Sequence, residues 1–231
     1  MGLRLTNHSR QAETAAYSST HLGRSEQQTG SNAKRVLDIL IASVALVFVL
    51  PLLLAVSFII RQQDGGPALY SQLRYGRNGR TFKCYKLRSM VLDADKRLKE
   101  ILETDPAARE EWEKTQKLTN DPRITPLGHF IRKTSIDELP QLINILRGEM
   151  SLVGPRPIVE NEIAKYGEFY RDYCAVRPGL TGLWQVEGRS DTTYEERVKL
   201  DVKYARTSSF MGDILIMLRT VPAVILSRGA R

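Results

Sequence analysis

VLDILIASVALVFVLPLLLAVSFII, residues 36–60, is almost wholly apolar and is interrupted once, by Pro51. The run exceeds the roughly 20 residues a helix needs to cross the hydrocarbon of a bilayer, and a buried helix in a soluble core is rarely this long and unbroken. Pro51 removes one backbone hydrogen bond and clashes with the preceding turn, which predicts a sharp bend. Lys34 and Arg35 precede the run and Arg61 follows it, and basic residues favour the cytoplasmic side. Two topologies compete: a signal anchor that crosses once and tolerates its proline, and a helix that enters, bends at Pro51 and returns. Hydropathy alone leans to the first. A basic domain downstream and a tail without features of an exported domain lean to the second, and either places residues 61–231 in the cytoplasm.

Before this run, residues 1 to about 33 are rich in Ser, Thr, Gln, Ala and Gly, which predicts a disordered tail rather than a signal peptide. The whole chain of 231 residues suits one compact domain plus attachments. Its 34 Lys+Arg against 26 Asp+Glu, net +8, favours an anionic partner such as nucleic acid, a phosphate-bearing substrate or an acidic membrane face. Cys84 and Cys174 have no CxxC spacing, so neither a disulfide framework nor a structural zinc site is indicated. His8 and His21 lie in the tail, which leaves His129 and excludes a histidine-rich metal site.

After the apolar run, GPALYSQLRYG, RNGR and TFKCYKLRSM (residues 66–90) read as a β-hairpin turning at Asn78-Gly79. Arg74, Arg77, Arg80, Lys83, Lys86 and Arg88 would line one region. Residues 93–103 and 106–117 read as two solvated helices. Gly128 to Lys133 and Glu138 to Leu146 read as short helices, followed by a strand MSLVG and the GPRP turn. Helices are expected near 159–173 and over 194–206, with the turn-rich RPGLTGLWQVEGR between them. The last apolar stretch, 210–226, carries Asp213, Arg219 and Pro222 and fits an interfacial helix or a core helix equally well.

Asp137 and Glu138 carry the chemistry. At a helix start, unpaired N–H groups would hold both ionised, able to bind a hard metal ion or attack phosphorus. The structural alternative is capping: Ser135-x-x-Glu138 has capping-box spacing, although Pro140 fits the first turn better if Asp137 is the cap. Capping is the commoner use of such residues. Arg132, Lys133 and Arg156 change the balance, because they suit a site that neutralises a diphosphate, with Arg156 fixed between Pro155 and Pro157. Asp93-x-Asp95 matches a metal-binding D-x-D only superficially and reads better as an acidic helix start. There is no Walker A loop and no G-x-G-x-x-G.

KRVLDILIAS with its following proline, residues 66–90, NDPRITPLGHFIRKTSIDELPQLINILRGEMSLVGPRP (120–157), RPGLTGLWQVEGR (177–189) and LDVKYARTSSFMGDILIMLRT (200–220) together resemble the bacterial sugar transferase family. These are monotopic phosphoglycosyl transferases, or polyprenyl-phosphate hexose-1-phosphate transferases, and the likeness is greatest to the ExoY type that initiates exopolysaccharide synthesis. It covers about residues 33 to 227.

The resemblance implies an α/β fold, mostly helical with a small β-hairpin. It divides the chain into a tail (1–33), a re-entrant membrane helix kinked at Pro51 (34–61) and a cytosolic catalytic domain (62–231) with an interfacial C-terminal helix. It implies transfer of a sugar 1-phosphate from a UDP-sugar, galactose ahead of glucose, to undecaprenyl phosphate at the cytoplasmic face of the bacterial inner membrane. UMP leaves, and nucleic acid is not a partner. Asp137 matches the family nucleophile and Glu138 its partner at a Mg²⁺ ion. Arg132, Arg156, Arg189, Pro155 and Pro157 match the phosphate and nucleotide site, and a homodimer is compatible with the family. The competing function is a tethered scaffold for anionic lipid or a polysaccharide-assembly partner, which leaves the acidic pair among arginines unexplained. A D-x-D glycosyltransferase using Asp93 and Asp95 would release UDP.

Overall fold

The apolar run forms a single helix, α1 (Asn32–Asp64), in the computed structural model, which describes residues 32–115, 118–188 and 192–225. The tail through residue 31, the ends of two expected helices at 116–117 and 226, and Arg189 lie outside the described residues. Pro51 sits inside α1, and helix continues on both sides of it. One stripe, spaced three or four residues apart, faces the rest of the protein: Asp38, Ala42, Leu53, Val56 and Ile60 are buried, with Ala45, Leu46 and Val49 packed beside them. The opposite face stays apolar and open, with Val47 71% and Phe48 80% exposed. α1 is long and apolar enough to cross a membrane.

Both ends of α1 are tied to the domain by polar side chains. Lys34 donates to the Val153 carbonyl at 3.1 Å and pairs with Asp213. Arg35 donates to the Ile145 and Leu146 carbonyls, and Asp38 accepts from Ser151 Oγ and the Leu152 N–H. At the far end Asp64 pairs with Arg88.

Strands β1 (Leu69–Tyr75) and β2 (Thr81–Leu87) form the expected antiparallel hairpin, with Leu69 opposite Leu87 and Tyr75 opposite Thr81. Its connection spans residues 76–80 rather than the two residues expected. Asn78 and Gly79 do adopt positive φ (59° and 69°), but inside a loop closed by Gly76 N–H to the Arg80 carbonyl. Helices α2 (Ala94–Thr104) and α3 (Pro106–Thr115) follow, and α2 buries no side chain, as a solvated layer should. Asp93 pairs with Arg97 one turn on, which confirms the helix-start reading of that acidic stretch.

Next come α4 (Pro126–Lys133), α5 (Gln141–Arg147) and β3 (Ser151–Val153). The helix expected over 159–173 is two, α6 (Glu160–Tyr166) and α7 (Tyr170–Ala175), because Gly167 at φ 52° breaks the run. A second strand pair was not anticipated: β4 (Gly179–Thr181), within the turn-rich stretch, pairs parallel to β3. Helices α8 (Tyr194–Thr207) and α9 (Phe210–Ile225) complete the chain. α9 buries Asp213 and Ile216 against the domain while Met211 and Leu218 are 70% and 65% exposed, so it has both a packed face and an open apolar one.

Candidate active site

Two turns present the acidic pair. Thr125 caps α4 by accepting from the Gly128 N–H at 2.9 Å, and Ser135, in the left-handed region at φ 56°, then swings the chain into a single 3₁₀ turn, Ile136–Glu138. A non-glycine residue there is strained by roughly 1 kcal/mol or more. This geometry replaces both capping readings. Ser135 and Pro140 precede the 3₁₀ turn and α5 without side-chain cap bonds, and α5 begins three residues after Glu138. Asp137 is therefore buried inside a tight turn, 7% exposed, rather than placed on a helix terminus.

β2 supplies the opposing wall. Asn144 of α5, fully buried, donates to the Lys83 carbonyl (2.7 Å) and accepts from the Tyr85 N–H (3.1 Å), so its amide acts as a strand partner and fixes the register of β2 against α5. That register points Cys84 and Lys86, two residues apart on one face, into a cleft of about 280 Å³ also lined by Arg74, Glu138, Gln141 and Arg156. Lys86 Nζ lies 2.6 Å from Glu138 Oε1 and 3.9 Å from Asp137 Oδ2. Arg156 Nη1 is 3.7 Å from the same Glu138 oxygen. Pro155 is buried, and the Pro157 carbonyl accepts from Arg74 at 2.9 Å. Arg132 donates to Ser89 Oγ at 2.8 Å, and its charge acts on Asp137.

The two adjacent carboxyls are driven apart. Burial pushes Asp137 above the ordinary aspartate value, against the pull of Lys86, Arg132 and Arg156. Burial would raise Glu138 too, but Lys86 foremost and then Arg156 overcome it and hold the group at about 2. One site thus holds a poorly solvated carboxylate beside a firmly ionised one. Cys84 is buried and its thiol is pushed up by desolvation, so it is no nucleophile at neutral pH. His129 is exposed on α4 and does not line the cleft. Among the described residues no group of three or more His, Cys, Asp or Glu side chains could hold a metal by itself. Two carboxylates do suit Mg²⁺ when substrate phosphates and water complete its shell.

An acidic pair among Lys86, Arg74 and Arg156, next to an exposed apolar helix, narrows the identity, and comparison with known proteins decides it. Residues 29–227 match the family Bacterial sugar transferase. The chain belongs to the bacterial sugar transferase family. It is 49% identical over 201 residues to the exopolysaccharide production protein ExoY of Sinorhizobium fredii, covering 87% of this chain and 89% of that protein. It is likewise 49% identical over 197 residues to the undecaprenyl-phosphate galactose phosphotransferase of Salmonella typhimurium, covering 85% of this chain but 41% of that longer protein. A UDP-glucose:undecaprenyl-phosphate glucose-1-phosphate transferase of Escherichia coli is 37% identical over 196 residues, 81% of this chain and 39% of its own length. The chain is a transferase of the ExoY type.

In this transferase the structure brings together five of the residues singled out from sequence: Asp137, Glu138, Arg156, Pro157 and, through Asp137, Arg132. Pro155 braces Arg156 from within the core. In the sequence, Lys86 and Arg74 stand out only as charges along the hairpin. The expected single basic region divides: Arg74 and Lys86 line this cleft, Arg77 lines another, and Arg88 binds the end of α1. The usable signal was Lys86 at two residues from an inward Cys84, which gives a strand lysine an inward direction.

Proposed function

We propose that the protein transfers a sugar 1-phosphate from a UDP-sugar to undecaprenyl phosphate, the first membrane step of exopolysaccharide synthesis, through a covalent intermediate on Asp137. The observation that carries this reading is the pairing of a desolvated Asp137, 3.9 Å from Lys86, with an ionised Glu138 that lines a cleft walled by Lys86, Arg74 and Arg156. An Asp137 oxygen attacks the β-phosphorus, the bond to the bridging oxygen breaks, and UMP departs with that oxygen. An oxygen of the polyprenyl phosphate then attacks the same phosphorus, and the Asp137 carboxylate is expelled as the new diphosphate forms. One anhydride is consumed and one made, so the reaction is close to balanced. Lys86 and the arginines neutralise the diphosphate during attack by an anion. Glu138 and Asp137 would hold Mg²⁺, which when bound adds charge neutralisation on the phosphoryl oxygens.

The acceptor is a lipid, and α1 supports that. A helix crossing the bilayer would leave one of its ends on the far side, yet Lys34, Arg35 and Asp38 at one end of α1 and Asp64 at the other are bound to the same domain. The domain also covers one face of α1 from Asp38 to Ile60. A helix that stays on the cytoplasmic face with its open side in lipid fits these contacts, and it seats the cleft at headgroup depth. Galactose is the favoured sugar because the similar Salmonella protein is named for it. The test is turnover of the purified protein with undecaprenyl phosphate and either UDP-galactose or UDP-glucose. UMP as the nucleotide product, with UDP-galactose preferred, supports the proposal, and release of UDP overturns it.

A further inference from the structure

Lys34, Arg77 and Arg177 line a second cleft of about 430 Å³, which shares no residue with the one formed around Glu138. Asp213, Tyr204, Ser208 and the first residue of α9, Phe210, are also part of its wall. The two carboxylates nearby are already engaged. Asp213 pairs with Lys34 and accepts from Tyr204 at 2.8 Å, and Asp38 holds Ser151 and Leu152. Positive charge is left in excess: the Arg177 guanidinium is pushed below its ordinary value by desolvation first and then by Arg77 and Arg35. Arg77 Nε and Ser208 Oγ are buried in the protein without a hydrogen-bond partner. Each such orphan is disfavoured, and crowded guanidinium groups add repulsion. The basic lining matches an anion with several acceptor oxygens, and a phosphate presents them in the geometry arginine binds best.

The position of the cleft identifies the source of the phosphate. It lies where two apolar surfaces begin, since Lys34 opens α1 and Phe210 opens α9. The outer faces that follow are open, with Val36 and Leu40 55% and 59% exposed on α1 and Met211 and Leu218 on α9. We infer that this cleft binds the headgroup phosphate of an acidic membrane lipid of the phosphatidylglycerol class, apart from the acceptor lipid at Asp137. The inference rests on α1 and α9 lying against the membrane. Bound there, the lipid locks the start of α1 to the start of α9.

The test uses full-length protein in neutral detergent, titrated with water-soluble dihexanoyl phosphatidylglycerol, dihexanoyl phosphatidylcholine or inorganic phosphate while the unfolding midpoint is followed. Phosphatidylglycerol should raise the midpoint at concentrations at least about tenfold below the other two, and less so at high salt. Arg77→Gln should weaken that response about tenfold, Arg77→Lys should weaken it less, and Arg80→Gln, exposed on the same loop, should leave it unchanged. UMP release should persist in all three variants. An undiminished response in Arg77→Gln and Arg77→Lys, or an equal response to phosphatidylcholine, overturns the site, and inorganic phosphate binding as tightly as the lipid overturns the lipid as its ligand. Flotation on neutral phosphatidylcholine vesicles separates the premise from the site. Protein that floats but ignores phosphatidylglycerol refutes the cleft alone, whereas protein that does not float refutes the membrane placement.

Discussion

Replacing Lys86 by Met removes the cation that holds the acidic pair together, and the structure sets the size of the effect. The free carboxyl of Glu138 titrates at 4.5 and the folded one at about 2, a difference of roughly 3 kcal/mol in favour of the folded, ionised form. Because the folded value is depressed, this stability is complete above pH 4.5 and is lost as the pH falls towards 2. Burial opposes the shift, and Lys86 is the largest of the groups that reverse it, ahead of Arg156. The contact is 2.6 Å long and both side chains are 23% exposed, so solvent screens it only in part. A double-mutant cycle of Lys86→Met and Glu138→Gln should give a coupling of about 2 kcal/mol at pH 7. The assay is the unfolding free energy of the detergent-solubilised protein, and the coupling should shrink as the pH is lowered below 4.5. A coupling under about 0.5 kcal/mol, or one independent of pH, would refute the assigned electrostatics.

Asp137, raised by burial, must be ionised to attack, so UMP release should fall with decreasing pH at a value above that of an ordinary aspartate. In Lys86→Met that limb should move to still higher pH, which a rate profile will show. Asn144→Leu removes both side-chain bonds to β2 and leaves the Lys83 and Tyr85 backbone groups unpaired, so about 2–4 kcal/mol of stability should be lost in thermal unfolding. Gly128→Ala would place a methyl 1.9 Å from the Ser89 carbonyl oxygen, at the residue that holds Arg132; a loss of about 3 kcal/mol is expected, with UMP release reduced further than the unfolded fraction accounts for. Cysteines placed near residues 30 and 64 should both resist an impermeant thiol reagent added outside intact cells, and labelling of either one contradicts the membrane placement of α1.

Much of this was legible from sequence, and the failures have physical reasons. The length and near-continuous apolarity of the run identify α1, yet hydropathy could not show that Lys34, Arg35 and Asp38 are ligands of the domain rather than topological charges, because their partners at 145–153 and 213 are over a hundred residues away. Asn-Gly marked the hairpin correctly, but Arg77 and Arg80 enlarge its loop. β4 escaped notice because three residues around a Gly and a Thr carry no strand pattern of their own, and its pairing to β3 is a tertiary event. The acidic pair was legible as chemistry and misplaced as structure. Ser135 in a left-handed conformation is not written in local propensity, and it leads into the 3₁₀ turn that buries Asp137. Lys86 became a site residue only once Asn144 fixed the register of β2.

Attack by Asp137 on the β-phosphorus can be read from the reaction with donor alone. Purified protein is incubated with UDP-galactose and Mg²⁺ without any polyprenyl phosphate, quenched, digested and examined by mass spectrometry, with UMP counted in parallel. If Asp137 attacks, UMP is released in stoichiometric amount and a hexose phosphate adduct forms on Asp137 that disappears when polyprenyl phosphate is added and is absent in Asp137→Asn. Full turnover with lipid, but neither early UMP nor an adduct without it, would contradict the covalent role of Asp137.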